Sequence, residues 1–407
     1  MKILWLSHNV PYPPIGGVLQ RNYNLLNEVA SSHEVHLVAF NQKALLATRT
    51  QLEEATTALA KLCARVEVLT IPSDSHRLTW YALVLKSLFT KDPYTINWLK
   101  SQTAHARIQR VARQTHFDVV HYDTISLAEY VGDTGDTPKV LNHHNVESAM
   151  MMRRAHNEHS ILRKVYFYLE AKKLHAYEKK LCTKFNVNLV VSGLEKSTLK
   201  QIVPDQKVTV VTNGVDTDYF SPGAGATIRN SLLFTGRLDA YSNRAGILFF
   251  MRKIWPHVLA KIPDARLTVV GKNPPPDLRR AAQREARVTV IGFVPDARPY
   301  FDTAEVYVCP IGDGGGTRLK ILDAMAMGKA VVSTSIACEG IEVSAERNIL
   351  IANTPAEFVC QIGRVLSDVN LRLSLGKEAR RLVTESYSWK RIGKDLCTVY
   401  ESLSERS

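Results

Sequence analysis

Short apolar runs alternate with helical stretches along this chain, and the whole series occurs twice. In the first half, residues 2–6, 34–39, 66–71, 117–121, 140–145 and 189–191 read as buried strands. Residues 20–31, 43–61 and 95–114 read as helices between them. A stretch rich in Gly, Asp and Pro follows at 213–226, and then the scheme restarts. Strands are expected at 232–235, 266–270, 288–291, 306–309 and 331–333, with helices at 246–261, 276–287, 318–327 and 355–365. Strands separated by helices make βαβ units and a parallel sheet. A chain of 407 residues suits two such domains. The predicted fold class is therefore α/β, with two Rossmann-like domains facing each other across a cleft. Each domain offers the C-terminal ends of its strands, where open parallel sheets bind ligands.

The segment after the strand at 306–309 carries the most chemistry. Gly312, Gly314, Gly315 and Gly316 fall within five residues, a helix follows from Arg318, and Gly328 closes it. A strand, a glycine loop and a helix start present backbone N–H groups and a positive helix end to an anion. Arg318 and Lys320 add full charges, and Asp323 places a carboxylate where a sugar hydroxyl could bond to it. The spacing is not a Walker loop, because no Gly-Lys-Ser/Thr ends it. Nor is it GxGxxG with an acidic residue about twenty positions on. A nucleoside diphosphate suits such a site.

Bulk properties narrow the class further. Hydrophobic residues at 45% and charged residues at 22% are globular values. The six cysteines are scattered without a CxxC pair, which fits reduced thiols and a cytoplasmic compartment. No signal-peptide pattern precedes the first strand, and no apolar run reaches eighteen residues. The formal net charge of +13 calls for an anionic partner. Residues 149–184 hold nine Lys/Arg against three Glu, with Tyr166, Phe167, Tyr168 and Tyr177 interleaved. That run reads either as a solvated helix face over packed aromatics or as a helix lying on an anionic membrane. The apolar patch at 80–89 lies in the same half. Peripheral attachment to the inner face of a membrane is therefore an expectation. No nucleic-acid motif is present, and no nucleic-acid partner is expected.

Six stretches in order resemble the retaining, family 4 group of GT-B glycosyltransferases. They are the first strand with SHNVPYPPIGGVLQRNYNLL, VVTNGVDTDYFSP at 210–222, LLFTGRLDAYSN at 232–243, VIGFVPDARPYF at 290–301, the glycine segment, and YSWKRIGKDLCTVYESL at 387–403. The resemblance implies an N-terminal acceptor domain over 1–205 and a nucleotide-sugar donor domain over 206–386. A terminal helix at 387–405 would cross back to the N-terminal domain. It also implies a first glycine loop at Gly16 and Gly17 and diphosphate contacts from Arg237. The position usually held by a lysine corresponds to Asn243-Arg244, so Lys320 is expected to supply the second cation. Phe293 would face the nucleobase. Asp323 matches the second acidic position of an E-x7-E motif, and Gly315 stands at the first. The sugar-contacting role of that first position would pass to Asp313 or to the amides of Gly314, Gly315, Gly316 and Thr317.

In the N-terminal half, His144 matches the family histidine that contacts the donor sugar. His121, Asp123 and Glu147 are candidates on the acceptor side. With His144, Arg237 and Lys320 as catalytic residues, the expected activity is metal-independent hexosyl transfer to a hydroxyl of a glycan or lipid-linked glycan, in polysaccharide or glycoconjugate synthesis. No cofactor is expected. His143 and His144 are adjacent without a third ligand at convincing spacing, so no metal is expected. Two rivals remain: a nucleotide-sugar epimerase of the same fold, and a non-catalytic nucleotide-sugar-binding subunit. The loss at Gly315 weakens the first and favours the second slightly.

Overall fold

The computed structural model describes residues 1–74, 77–223, 225–313 and 317–404. Gly314, Gly315 and Gly316 therefore lie outside the described residues. The chain forms two compact units, Met1–Thr212 with Ile392–Ser407, and Asn213–Arg391.

The first unit holds a seven-stranded sheet. Its strands are β1 (Lys2–Ser7), β2 (Glu34–Asn41), β3 (Arg65–Thr70), β4 (Val119–Asp123), β5 (Lys139–Asn142), β6 (Val187–Val190) and β7 (Val208–Val210). Their spatial order is β3-β2-β1-β4-β5-β6-β7, and every pair is parallel. The strand expected at 189–191 is β6, and it was to end this half, but β7 pairs with it. Val-Thr-Val is too short to stand out from a loop by periodicity. The unit consequently runs on to Thr212 rather than to residue 205. The helix expected at 95–114 is two helices, Tyr94–Asn97 and Gln102–Gln114. The Ser101 side chain accepts from the Ala104 amide and starts the second one.

The second unit holds six parallel strands: β8 (Ser231–Thr235), β9 (Arg266–Val270), β10 (Val288–Ile291), β11 (Val306–Cys309), β12 (Ala330–Ser333) and β13 (Leu350–Ile351). Their order is β10-β9-β8-β11-β12-β13. The helix expected at 246–261 begins earlier, at Tyr241, and widens into a π turn at Phe250–Ile254 before Trp255–Lys261. Pro256 has no N–H to continue the ladder, so the turn before it loosens. The terminal helix Trp389–Ser404 starts in this unit, and from Ile392 onward it belongs to the first.

Strands β4, β5, β6, β8, β11 and β12 are buried at every residue. Helices cover both faces of a parallel sheet, so such strands read as continuous apolar runs. That is why β11 was expected at the same residues the structure gives. In each sheet the strand order reverses once, between β1 and β4 and between β8 and β11. Such switch points open a crevice beyond the strands' carboxyl ends.

Candidate active site

In the second unit, β8 ends at Thr235, whose hydroxyl meets the Tyr307 hydroxyl of neighbouring β11 at 3.0 Å. Gly236 follows with φ of +146°. A Cβ there would lie 2.5 Å from Lys320 Nζ and 3.0 Å from Asn243 Nδ2. The bare backbone of Gly236 thus leaves the space that the Lys320 ammonium occupies. Gly236→Ala is expected to cost about 1–3 kcal/mol in backbone strain, and the displaced ammonium should weaken anion binding as well. Thermal denaturation and nucleotide titration of the variant check this.

Lys320 stands on the helix Leu319–Ala326. Its Nζ donates to Asn243 Oδ1 at 2.6 Å and lies 4.7 Å from the centre of the Phe234 ring. Asn243 Nδ2 in turn donates to the Arg237 carbonyl at 2.8 Å. Among the described residues no carboxylate lies within ion-pair distance of Lys320. Burial lowers its pKa to about 8. This half-buried cation is thus held by an amide oxygen and a ring rather than by an opposite charge. Asp323 is three residues further along the same helix face. Burial raises its pKa to about 7, against the pull of Lys320.

The other donor-side candidates are placed as follows. Arg237 is exposed and pairs with Asp239 at 3.0 Å, so it stands at the rim. Arg244, beside Asn243, turns away to Asp277 at 2.8 Å. Asn243 was noted only as the residue replacing a lysine, yet it is the hinge between Arg237 and Lys320. Arg318 donates to the Asp313 carbonyl at 3.1 Å, which ties the loop to the helix start. Thr317 is half-buried beside it. Phe293 is exposed after β10, two strands from β8.

In the first unit, Asp123 ends β4 and His8 follows the end of β1, at that sheet's switch point. Asp123 is fully buried. Its Oδ2 meets His8 Nδ1 at 3.0 Å and accepts from Asn22; its Oδ1 meets His144 Nε2 at 2.9 Å and Asn142 Nδ2 at 3.0 Å. Burial pushes this carboxyl up, but His144 and His8 outweigh it and hold it well below the usual carboxylate range. His144 keeps about a tenth of its side chain open, and burial lowers its pKa. His8 was not singled out from the sequence. Its one signal was position, directly after the first strand.

The ligating atoms of His8, Asp123 and His144 all lie within 4.8 Å of one another, a spacing that suits a metal ion. The sequence reading weighed His144 with His143; in this set His8 takes the second histidine's place. Each imidazole, however, already bonds a different carboxylate oxygen, and Asn22 and Asn142 take further acceptor positions. The set is arranged as a hydrogen-bond network.

Two acceptor-side candidates make other contacts. His121 is fully buried one pleat below Asp123, stacked on Trp5 at 3.8 Å, and its Nδ1 bonds the Tyr400 hydroxyl at 2.7 Å. Burial lowers its pKa to about 3, so it stays neutral inside the core. Glu147 begins the helix Glu147–Asn157, half-buried near Glu178 and Glu195. Burial and those neighbours raise its pKa to about 8. Glu178 accepts from the Ser148 amide and hydroxyl, and Glu195 from the Val146 amide at 2.6 Å. This cluster caps a helix start. Gly16, with φ of +98°, and Gly17 stand exposed at the start of the helix Gly17–Ala30.

Comparison with known proteins agrees with this architecture. The family described as Glycosyltransferase Family 4 matches residues 15–219, and Glycosyl transferases group 1 matches residues 229–368. An uncharacterized 44.6 kDa protein in the cps region of Klebsiella pneumoniae is 24% identical over 96% of this chain and 97% of its own length. Sucrose-phosphate synthase from Thermosynechococcus elongatus superposes with a TM-score of 0.72 at 16% identity, covering 100% of both chains. Anabaena Alr3699/HepE in complex with UDP superposes with a TM-score of 0.67 at 16% identity, covering 99% of this chain and 100% of its own. With two parallel α/β units of this topology and a family match over half its length, the chain belongs to glycosyltransferase family 4 and is a GT-B glycosyltransferase.

Proposed function

We propose that this glycosyltransferase moves a sugar from a nucleoside-diphosphate sugar to a hydroxyl of a glycan or lipid-linked glycan, with retention and without a metal ion. The observation that carries the reading is the Lys320 ammonium, set against Gly236 and held by Asn243 with no acidic partner among the described residues. As the bond from the anomeric carbon to the diphosphate breaks, the departing oxygen gains negative charge. A cation already in position stabilises that charge more than it stabilises the bound donor. The acceptor oxygen bonds to the anomeric carbon, and its proton passes to the leaving phosphate. Asp323 accepts from ribose hydroxyls, and His144, oriented by Asp123, contacts the donor sugar. The structural neighbour carrying UDP supports the nucleotide part of this reading. Retention is carried over from the family.

A thermal-shift panel of UDP-, GDP- and ADP-sugars, run with and without a chelator, tests the proposal, because a ligand that binds the folded state raises its melting temperature. One donor series should shift the midpoint equally in both conditions. No shift with any nucleotide would refute the reading. Donor affinity should also fall as pH rises through about 8, where Lys320 loses its proton. The diphosphate stays ionised there, so the fall approaches about tenfold per pH unit. Lys320→Arg should flatten that limb, because a guanidinium does not deprotonate in this range. Calorimetric titration across the range checks it.

A further inference from the structure

The helix Arg77–Phe89 turns an apolar stripe outward. Leu78, Tyr81, Leu85 and Leu88 recur at helical spacing, and all are exposed; Leu78 is 80% open. Phe89 at its end is 84% open. Among its described side chains only Ser87 is buried. A surface helix of a globular domain normally turns such a stripe to the core.

The helix Ile161–Leu181 does the same over its first turns. Ile161 and Leu162 are 78% and 84% open, and Val165 and Leu169 are exposed one and two turns on. Lys173, four residues after Leu169, joins the two helices. Its Nζ donates to the Ser87 carbonyl at 2.5 Å and the Leu88 carbonyl at 3.1 Å. The end of one apolar stripe is thereby fixed against the helix that carries the other.

Exposed cations flank both stripes: Lys86 and Lys91 by the first, Arg163, Lys164 and Lys172 on the second. The carboxylates of these segments are engaged elsewhere. Glu170 is buried and accepts from the Thr95 amide at 3.2 Å, and Asp92 lies 3.6 Å from Lys100.

We infer that this two-helix face docks the protein onto an anionic lipid surface, with the apolar side chains entering the headgroup boundary and the cations meeting lipid phosphates. Apolar side chains framed by Lys and Arg are the pattern of a helix that lies in a membrane interface. A second copy of this chain would bring the same cations against these, and like charges oppose that pairing. No described helix is long and apolar enough to cross a membrane. The inference extends the lipid-linked part of the proposed function. Its test reads attachment rather than transfer, so either can fail alone.

Flotation of the full chain with phosphatidylcholine vesicles, with and without phosphatidylglycerol, is the experiment. The protein should float only with the anionic vesicles, and molar salt should release it, since screening shortens the reach of these charges to about 3 Å. Arg163→Gln with Lys164→Gln should weaken vesicle affinity roughly tenfold or more, at about fivefold per charge. Leu162→Asp with Phe89→Asp should abolish flotation while leaving the melting temperature and nucleotide affinity unchanged, because both side chains are exposed and belong to the first unit, whereas Lys320 and its partners belong to the second. Failure of the wild type to float, or equal flotation of all three proteins, overturns the inference. So does a concentration-dependent dimer in sedimentation that Leu162→Asp dissolves without any vesicle binding.

Discussion

Lys320→Ala should lower turnover with the cognate sugar nucleotide by roughly two to three orders of magnitude, the scale of losing one contact to transition-state charge. The loss belongs mainly in kcat, because the charge on the leaving group grows as the bond breaks. Stability should not fall with it. Burial holds the folded-state pKa of Lys320 at about 8, below its ordinary value. Over that interval the unfolded chain binds a proton that the folded chain does not, so the wild type gains stability as pH rises from about 8 towards the ordinary lysine range. The variant should lack that gain. Asp323 has the opposite sign: its folded pKa is raised to about 7. Its contribution is present below the ordinary carboxylate value and lost as pH rises towards 7. Steady-state kinetics beside melting curves at several pH values separate the two effects. Wild-type kcat in Lys320→Ala would remove this residue from the proposed chemistry.

Asp123→Ala should be the most damaging single change to the first unit, costing about 3–5 kcal/mol, the range for removing one partner of a buried charged network. His8, His144, Asn22 and Asn142 all converge on this carboxylate, and the substitution would leave four buried or half-buried polar groups without it. The folded carboxyl lies below its ordinary range. Its stabilisation is therefore complete above the ordinary aspartate pKa and is lost as pH falls through the folded value. Asp123→Asn preserves the shape but not the charge, so it should keep more of the stability while removing the negative charge that favours the protonated form of His144. Urea unfolding at neutral and acid pH measures both. A loss below about 1 kcal/mol, the size of an ordinary hydrogen bond, would show that the network does not organise this strand end.

The two variants also show which parts of the site were legible. Lys320 and Asp323 could be picked out because they lie on the helix that follows a glycine loop, a local pattern that marks an anion site before any tertiary contact is known. His8 and Asn243 could not, because their importance lies in partners far along the chain. His8 meets Asp123 across 115 residues, and Asn243 meets Lys320 across 77. His121 was misplaced for a related reason. Its position near a strand end suggested exposure, but Tyr400, 279 residues away, closes over it.

By itself the sequence determined the alternation of strands and helices, the parallel sheets that follow from it, and the two-unit plan, because local periodicity and continuous apolar strands leave few other solutions. It also determined the family, through short motifs at strand ends. Tertiary structure alone decided where β7 extends the first unit, which of Asn243 and Arg244 faces the lysine, and which carboxylates cap helices. It also decided which histidines share Asp123. These outcomes depend on side chains meeting across long sequence separations, and on the burial that sets their charge. Neither quantity is written in the spacing of neighbouring residues.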